Sequence, residues 1–361
     1  MAGFSSILIN NPFGIGDCLF STSLIRNLLD AYPGVRFYYL CNPKTAKILS
    51  SQPFIYKTFV YDRDEWVRLK KHSLAAWWKK FSSLIADIRR EHIQLCIDLS
   101  LNTQYGFYAW CAGIPLRIGL DYKNRCFFLN KKIKIDGYSE KHVVDYYLDV
   151  LRLLGLKPQS FGLQIKADDE SRSWAEQFFR SSGLGPHELV IGIACCGGDA
   201  FGKDAYVKRW PAEKFRELIE RLRKELKATI FIFAGPKEKD DVQGVLGPIS
   251  DRAGIFDFCD RSLPETVALI ERINLFIGND TGPLRFADAF GKKIVAFFGP
   301  VDEKVYGPYP TDEKRAVVLT HAVSCRPCYR RFKLPECVND RICLKSISVE
   351  EAFDAVKRLV R

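Results

Sequence analysis

The chain has 361 residues, 47% hydrophobic and 27% charged, with a formal net charge of +11. Such a composition belongs to globular proteins with room for two ordinary domains, and no apolar run reaches the ~18 residues of a membrane span. Met1 to Asn10 reads as a short strand without a basic leader, so a cytoplasmic location is expected. In chain order, Ser6–Asn10 reads as a strand, Leu19–Ala31 as a helix, and Arg36–Leu40 and Thr58–Tyr61 as strands. Ala75–Glu91 is helical, Gln94–Leu99 a buried strand, and a helix runs from about Glu140 to Leu154. The pattern restarts with an apolar run at Leu189–Ala194. Helix Phe215–Leu226, strand Thr229–Ala234, helix Pro264–Arg272, strand Leu275–Gly278, helix Leu284–Phe290 and strand Lys293–Phe298 follow, and helix Val349–Val360 closes the chain. Apolar strands alternating with amphipathic helices predict parallel sheets covered on both faces. The restart predicts two of them, with a polar linker over Lys157–Ser173. The expected architecture is α/β: two Rossmann-like domains facing across a cleft, 1–165 and 166–345, with a C-terminal helix over 346–361.

Two glycine-containing turns stand out, each placed after an apolar strand and at the start of a helix. The first is Asn11-Pro12-Phe13-Gly14-Ile15-Gly16-Asp17 and the second is Gly278-Asn279-Asp280-Thr281-Gly282-Pro283. Bare backbone N–H groups and a helix N-terminus at such a turn stabilise an anion, and ligands of open α/β sheets bind at the carboxyl ends of strands. The first turn lacks the third glycine and the acidic partner of a dinucleotide fingerprint. Gly14 and Gly16 let a substrate approach the backbone. Asp17 then serves either as a helix cap or as a general base for an acceptor hydroxyl. In the second turn, Thr281, Gly282 and the helix N-terminus suit a diphosphate. Asp280 beside a phosphate is repelled unless it meets a hydroxyl, an ammonium or backbone N–H groups.

Lys208-Arg209-Trp210-Pro211 precedes a helix and offers cations for a leaving diphosphate. Solvated surface charges are the alternative. Gly235-Pro236-Lys237-Glu238 follows a strand, and Glu238 is placed either to accept from ribose hydroxyls or to face water. Near the C-terminus, Cys325 and Cys328 form a C-x2-C pair followed by Cys337 and Cys343. Four thiols at this spacing suit a closed, structural zinc or iron site; free thiols or disulfides are the alternatives. No cofactor is expected for catalysis. Basic pairs at Lys70-Lys71 and Lys79-Lys80 lie among Trp66, Trp77, Trp78 and Phe81. Aromatics interleaved with Lys make Trp66–Phe81 the expected contact with an anionic membrane surface. No RNA-binding signature is present, so no nucleic-acid partner is expected.

Taken together, these residues resemble the family 9 glycosyltransferases, the lipopolysaccharide heptosyltransferases. Gly-Ile-Gly-Asp, Lys-Arg-Trp-Pro, Gly-Pro-x-Glu and Asn-Asp-Thr-Gly-Pro occur in family order. Phe298-Gly299-Pro300-Val301-Asp302, Tyr306-Gly307-Pro308 and the cysteine cluster follow, so the similarity spans nearly the whole chain. The resemblance implies a GT-B fold and an inverting, metal-independent transfer of heptose from ADP-heptose to an acidic, lipid-anchored glycan, the lipopolysaccharide inner core. It implies Asp17 as the general base, Lys208 at the donor phosphates and Glu238 at the ribose. Asp280, Thr281 and Gly282 would hold the donor sugar and diphosphate. The family usually carries His where this chain has Arg285. Arg is permanently charged and also suits a diphosphate, which leaves another nucleotide sugar open as donor. A non-catalytic sugar-nucleotide-binding protein is a third possibility at this point. The implied location is the cytoplasm, at the inner face of the membrane.

Overall fold

The computed structural model describes residues 3–198 and 201–360. The chain divides into two compact units, Met1–Tyr138 with Val143–Phe161, and Ser139–His142 with Gly162–Arg361.

The first unit holds β1 (Ser6–Asn10), β2 (Arg36–Cys41), β3 (Lys57–Val60), β4 (Leu95–Asp98), β5 (Leu116–Tyr122) and β6 (Lys131–Ile135). They form one sheet in the order β3-β2-β1-β4-β5-β6, with every pairing parallel. The second unit holds β7 (Val190–Ala194), β8 (Thr229–Ile232), β9 (Ile255–Asp257), β10 (Leu275–Asn279), β11 (Lys293–Phe297) and β12 (Ala316–Leu319). Their order is β12-β11-β10-β7-β8-β9, again wholly parallel. Counted within each unit, both sheets read 3-2-1-4-5-6, the Rossmann order. The order in which strands are added across the sheet reverses between β1 and β4 in one sheet and between β7 and β10 in the other. The Asp17 turn leaves β1 and the Asp280 turn leaves β10, so each lies at its sheet's switch point.

The central strands are continuous apolar runs because both faces are covered: every residue of β1, β7 and β10 is buried. In the first unit, Trp66, Phe81, Ile85, Ile88, Tyr105 and Tyr108 pack over one face. In the second, Phe215, Leu218, Ile219 and Leu222 from helix Ala212–Leu226 meet Phe353 and Val356 from helix Val349–Val360.

Several elements are absent from the pattern reading. Helices Pro43–Leu49, Arg63–His72 and Thr103–Cys111 are present, as are β5, β6, β9 and β12. Helix Thr103–Cys111 is uncharged and aromatic, so it has no polar stripe to reveal its period. The expected linker is irregular from 156 to 168. Its last residues instead open helix Asp169–Ser181, which Asp168 caps by accepting from the Ser171 N–H at 2.8 Å. The helix expected over Glu140–Leu154 begins at Val143 and tightens to a 3-10 turn at Val150–Leu154.

Candidate active site

In the second unit, strand β10 delivers Asn279 and Asp280 to the carboxyl edge of its sheet. Asn279 is fully buried. Its Oδ1 accepts from the Trp210 N–H at 3.0 Å, and its Nδ2 donates to the carbonyls of Cys195 at 2.9 Å and Cys196 at 3.0 Å. One amide thereby staples the β10 turn to the loop after β7 and to the Lys208–Pro211 segment. Trp210 anchors that segment by stacking on Phe297 at 4.3 Å and donating to the Ile347 carbonyl at 3.0 Å.

Asp280 follows and is enclosed by two cations. Lys208 Nζ meets Oδ2 at 2.7 Å and Arg285 Nη2 meets Oδ1. All three side chains are buried, with 8%, 11% and 4% of Lys208, Asp280 and Arg285 exposed. Burial alone raises the Asp280 pKa, but Lys208 and then Arg285 outweigh it and hold the carboxyl below its ordinary value. Lys208 also lies 4.2 Å over the Phe201 ring. The expectation that Asp280 needs an ammonium beside it is met by Lys208.

Arg285 pairs with the carboxylate beside it. It sits on the first turn of helix Gly282–Ala289, and its guanidinium turns inward to Asp280 and to the Gly307 carbonyl, 3.2 Å away. Two cations share one carboxylate, so the cluster keeps one net positive charge. That charge sits where helix Gly282–Ala289 begins, with Thr281 as its N-cap residue; the Thr281 side chain makes no cap bond, and Oγ1 donates to the Asn279 carbonyl at 3.3 Å. His142 Nε2 donates to the same Gly307 carbonyl at 3.0 Å. Burial lowers the His142 pKa to about 3, and Arg285 adds to the lowering against the Gly307 bond.

Glu238 is tied to this cluster through a glycine pair that the sequence reading passed over. Its Oε1 accepts from the Gly198 N–H at 2.9 Å and its Oε2 from the Gly235 N–H at 2.9 Å. Gly198 has φ +70°, and a Cβ there would lie 3.5 Å from Thr281 Cγ2. A Cβ on Gly197 would lie 2.2 Å from the Ala205 carbonyl oxygen. Only glycine fits both places. Lys208, Glu238, Asp280, Thr281, Gly282 and Arg285 thus share one sheet edge, joined through Asn279 and Gly198. A glycine pair after an apolar strand was the available signal.

In the first unit, the Asp17 turn is built differently. Gly14 is the N-cap of helix Ile15–Ala31 and makes no side-chain cap bond. Asp17 lies inside the first helical turn rather than at the cap. Asparagines hold the loop: Asn11 donates to the Asp17 carbonyl at 3.0 Å, and Asn42 to the Phe13 carbonyl at 2.5 Å. Asp17 is half-buried and Gly14 exposed. A Cβ on Gly14 would stand 3.9 Å from Asp17 Oδ2, so the carboxylate lies over the open glycine.

The twelve cysteines are all free thiols. Cys325, Cys328, Cys337 and Cys343 line one cavity of about 20 Å³ with Pro300, Leu334 and Arg341. Among the described residues, no three His, Cys, Asp or Glu side chains are grouped closely enough to hold a metal ion. Among the described residues, no helix is long and apolar enough to cross a membrane.

Two Rossmann-order sheets in one chain, each with a glycine-containing turn at its switch point, are the architecture of the GT-B fold class. The profile of glycosyltransferase family 9 (heptosyltransferase) matches residues 81–338, and the chain belongs to that family. Lipopolysaccharide heptosyltransferase 3 of Escherichia coli is 25% identical over 306 residues, which is 81% of this chain and 83% of the relative. A solved family 9 glycosyl transferase from Veillonella parvula has TM-score 0.82 at 24% identity, covering 100% of this chain and 98% of its own. The structure of E. coli ADP-heptose lps heptosyltransferase II has TM-score 0.76 at 20% identity, covering 98% of each chain.

The charge sharing around Asp280 has a measurable order. Asp280→Ala leaves two buried cations facing each other and is expected to cost about 3–5 kcal/mol. Lys208→Ala leaves the Asp280–Arg285 pair intact and is expected to cost less. Denaturant unfolding of both variants checks this; a larger loss from Lys208→Ala would contradict the shared arrangement.

His142 gives a pH signature. Its folded pKa lies below the ordinary 6.5, at about 3, so only the unfolded chain takes up the proton as pH falls between them. This contribution is complete above about pH 6.5 and is lost towards pH 3. His142→Gln is expected to flatten the acid side of the stability profile in that window. Parallel profiles from thermal melts at stepped pH would refute the assignment.

Proposed function

We propose that this protein transfers a heptose, with inversion, from ADP-heptose to a hydroxyl of the lipopolysaccharide inner core. The observation that carries the reading is the buried Lys208–Asp280–Arg285 cluster, with its net positive charge at the start of helix Gly282–Ala289. A departing diphosphate gains charge as the glycosidic bond breaks. A fixed cation and a helix N-terminus stabilise that charge without reorganising. Similarity to enzymes of lipopolysaccharide assembly supports the sugar and acceptor class.

In this reading Asp17 takes the proton of the acceptor hydroxyl. The acceptor oxygen attacks the anomeric carbon from the face opposite the diphosphate, and ADP leaves with the electrons of the broken bond. Gly14 and Gly16 leave room for the acceptor beside the carboxylate. Thr281 and the Gly282 N-terminus receive the diphosphate. Lys208 and Arg285 act on it through the charge they leave around Asp280. Glu238, already positioned by two backbone N–H groups, keeps lone pairs for ribose hydroxyls. No metal is required, because the cation cluster supplies the positive charge. The acceptor is anchored in lipid, so the enzyme works in the cytoplasm, at the inner membrane face, in peripheral contact with anionic lipid.

For the cysteine segment we propose a structural zinc or iron. Cys325, Cys328, Cys337 and Cys343 line one cavity, and the thiols would have to draw closer than they stand to ligate an ion. Four soft thiolates would leave no open position for catalysis. A bound ion would cross-link the 325–343 segment.

Two experiments test these assignments. The first is a coupled assay of ADP release from ADP-heptose with a heptose-deficient core acceptor, alongside a thermal-shift series with ADP, UDP and GDP. ADP is expected to raise the melting midpoint selectively. Asp17→Asn is expected to lose at least about 10²-fold in kcat, the scale of a general base, while keeping the ADP shift. Near-normal turnover of Asp17→Asn would remove it as the base, and selective stabilisation by UDP or GDP would replace the donor. The second is elemental analysis of protein purified without chelator. About one zinc or iron per chain is expected, lost on Cys325→Ser/Cys328→Ser substitution; metal-free protein with an unchanged melting midpoint would exclude the structural ion.

A further inference from the structure

The first unit carries an aromatic surface that neither the fold nor the proposed chemistry uses. Trp66, expected from the sequence to meet a membrane, is buried at 2% exposure against Tyr61 and Tyr108. Its neighbour Lys80 is paired with Glu65. Trp66 is therefore core, the one buried residue of helix Arg63–His72. On the opposite flank of helix Leu74–Arg90, Trp78 is 59% exposed. From it a chain of rings crosses to the next helix and beyond. Trp78 meets Phe81 at 5.5 Å, Phe81 meets Phe107 at 6.1 Å, and Phe107 meets Trp110 at 6.0 Å and Phe128 at 5.1 Å. Trp110 is 53% exposed and Phe127, beside Phe128 in the chain, is 74% exposed. Three large rings face water on a rigid, ring-packed base.

The connection that carries Phe127 has charge of one sign. The connection from β5 through β6 carries Lys123, Arg125, Lys131, Lys132 and Lys134, with no carboxylate between Asp121 and Asp136. Lys123, Arg125, Lys131 and Lys134 are exposed. Two of the connection's cations are tied down: Lys131 donates to the Leu153 carbonyl at 3.2 Å, and Lys132 bonds buried Asp121 at 2.8 Å and lies 5.9 Å over the Phe127 ring. Helix Thr103–Cys111, which presents Trp110, has no charged residue. Arg89, on the same flank as Trp78, donates to the Cys111 carbonyl at 2.7 Å and fixes the two helices together. The connection leaves the carboxyl end of β5, the same sheet edge from which the Asp17 turn leaves β1.

Exposed Trp and Phe rings beside a connection rich in Lys and Arg and free of acids match the interface of an anionic bilayer. Rings settle at the headgroup level, and cations gain from the negative surface potential. We infer that Trp78, Trp110 and Phe127, with the cations of 123–134, form the surface that docks this enzyme onto anionic lipid. The inference rests on the lipid-anchored acceptor of the proposed reaction for its purpose, and on the exposed rings and one-signed charge for its evidence.

Co-sedimentation with lipid vesicles tests it without donor or acceptor. The protein is expected to pellet with phosphatidylcholine vesicles containing phosphatidylglycerol, to stay in solution with pure phosphatidylcholine, and to be released by salt. Each Lys or Arg removed from the set Lys123, Arg125, Lys131 and Lys134 by Gln substitution is expected to weaken partition about fivefold. Trp78→Ser/Trp110→Ser/Phe127→Ser is expected to lose binding at salt concentrations the parent survives. Brominated lipid is expected to quench tryptophan emission in the parent and not in this variant. The ADP-induced thermal shift, read on the same samples, reports whether each variant is folded and whether the donor assignment holds. Equal pelleting with neutral and anionic vesicles, or full binding by folded Gln and Ser variants, would overturn the inference even if the transferase reaction stands.

Discussion

The second unit depends on keeping a carboxylate ionised where water is almost absent. Asp280 is enclosed by Lys208 and Arg285 at the end of a fully buried strand. Desolvating three charges costs several kcal/mol per ion, and their mutual attraction roughly offsets this only with good geometry. That geometry needs Lys208 delivered from a different loop than Asp280. The Asn279 amide meets this requirement by bonding the Trp210 N–H and two carbonyls after β7. Trp210 in turn is pinned by Phe297 and Ile347. The packing of a strand, a helix and the C-terminal segment thus converges on holding one ammonium beside one carboxylate. Such a cluster contributes little net stability. It leaves one positive charge fixed at a helix N-terminus.

The Asp17 turn solves the converse problem. It sits at the corresponding switch point of the first sheet, but its loop is held by neutral amides from Asn11 and Asn42. Its helix begins at a glycine without a side-chain cap. The loop is thus held through its carbonyls by neutral amides, whereas the Asp280 turn is held through a carboxylate shared by two cations.

Much of this was legible in the sequence. The central strands read correctly because they are buried on both faces and appear as unbroken apolar runs. The two turns read correctly because glycine, Asp and a helix start fall together at strand ends. Three things stayed hidden. Helix Thr103–Cys111 has no polar face, so its period is invisible. The pairing of Arg285 with Asp280 and Gly307 was not readable, because sequence spacing does not say which way a guanidinium turns. Trp66 and Trp78 looked alike in a basic, aromatic segment, although they belong to different helices with one ring in the core and the other in water. Such distinctions depend on tertiary packing, which a local pattern does not encode.

A comparison between the two sheets shows how strongly neighbours set a carboxylate's character. Asp98 ends β4, the fourth strand of its unit, and Asp280 follows β10, the fourth strand of the other. Both lie next to the first strand of their sheets, and both are buried. Asp98 has neutral partners: Oδ1 accepts from the Ser100 N–H at 2.9 Å and from the Ser100 hydroxyl at 2.5 Å. Burial dominates there and raises its pKa to about 6. Asp280 has a lysine and an arginine, which reverse the effect of burial. The carboxyl ends of corresponding strands therefore hold a carboxyl that protonates in mildly acidic solution in one unit and an ionised carboxylate in the other. The Rossmann order fixes where such a group sits; the residues on the adjoining loops decide whether it is neutral or charged, and so what it does.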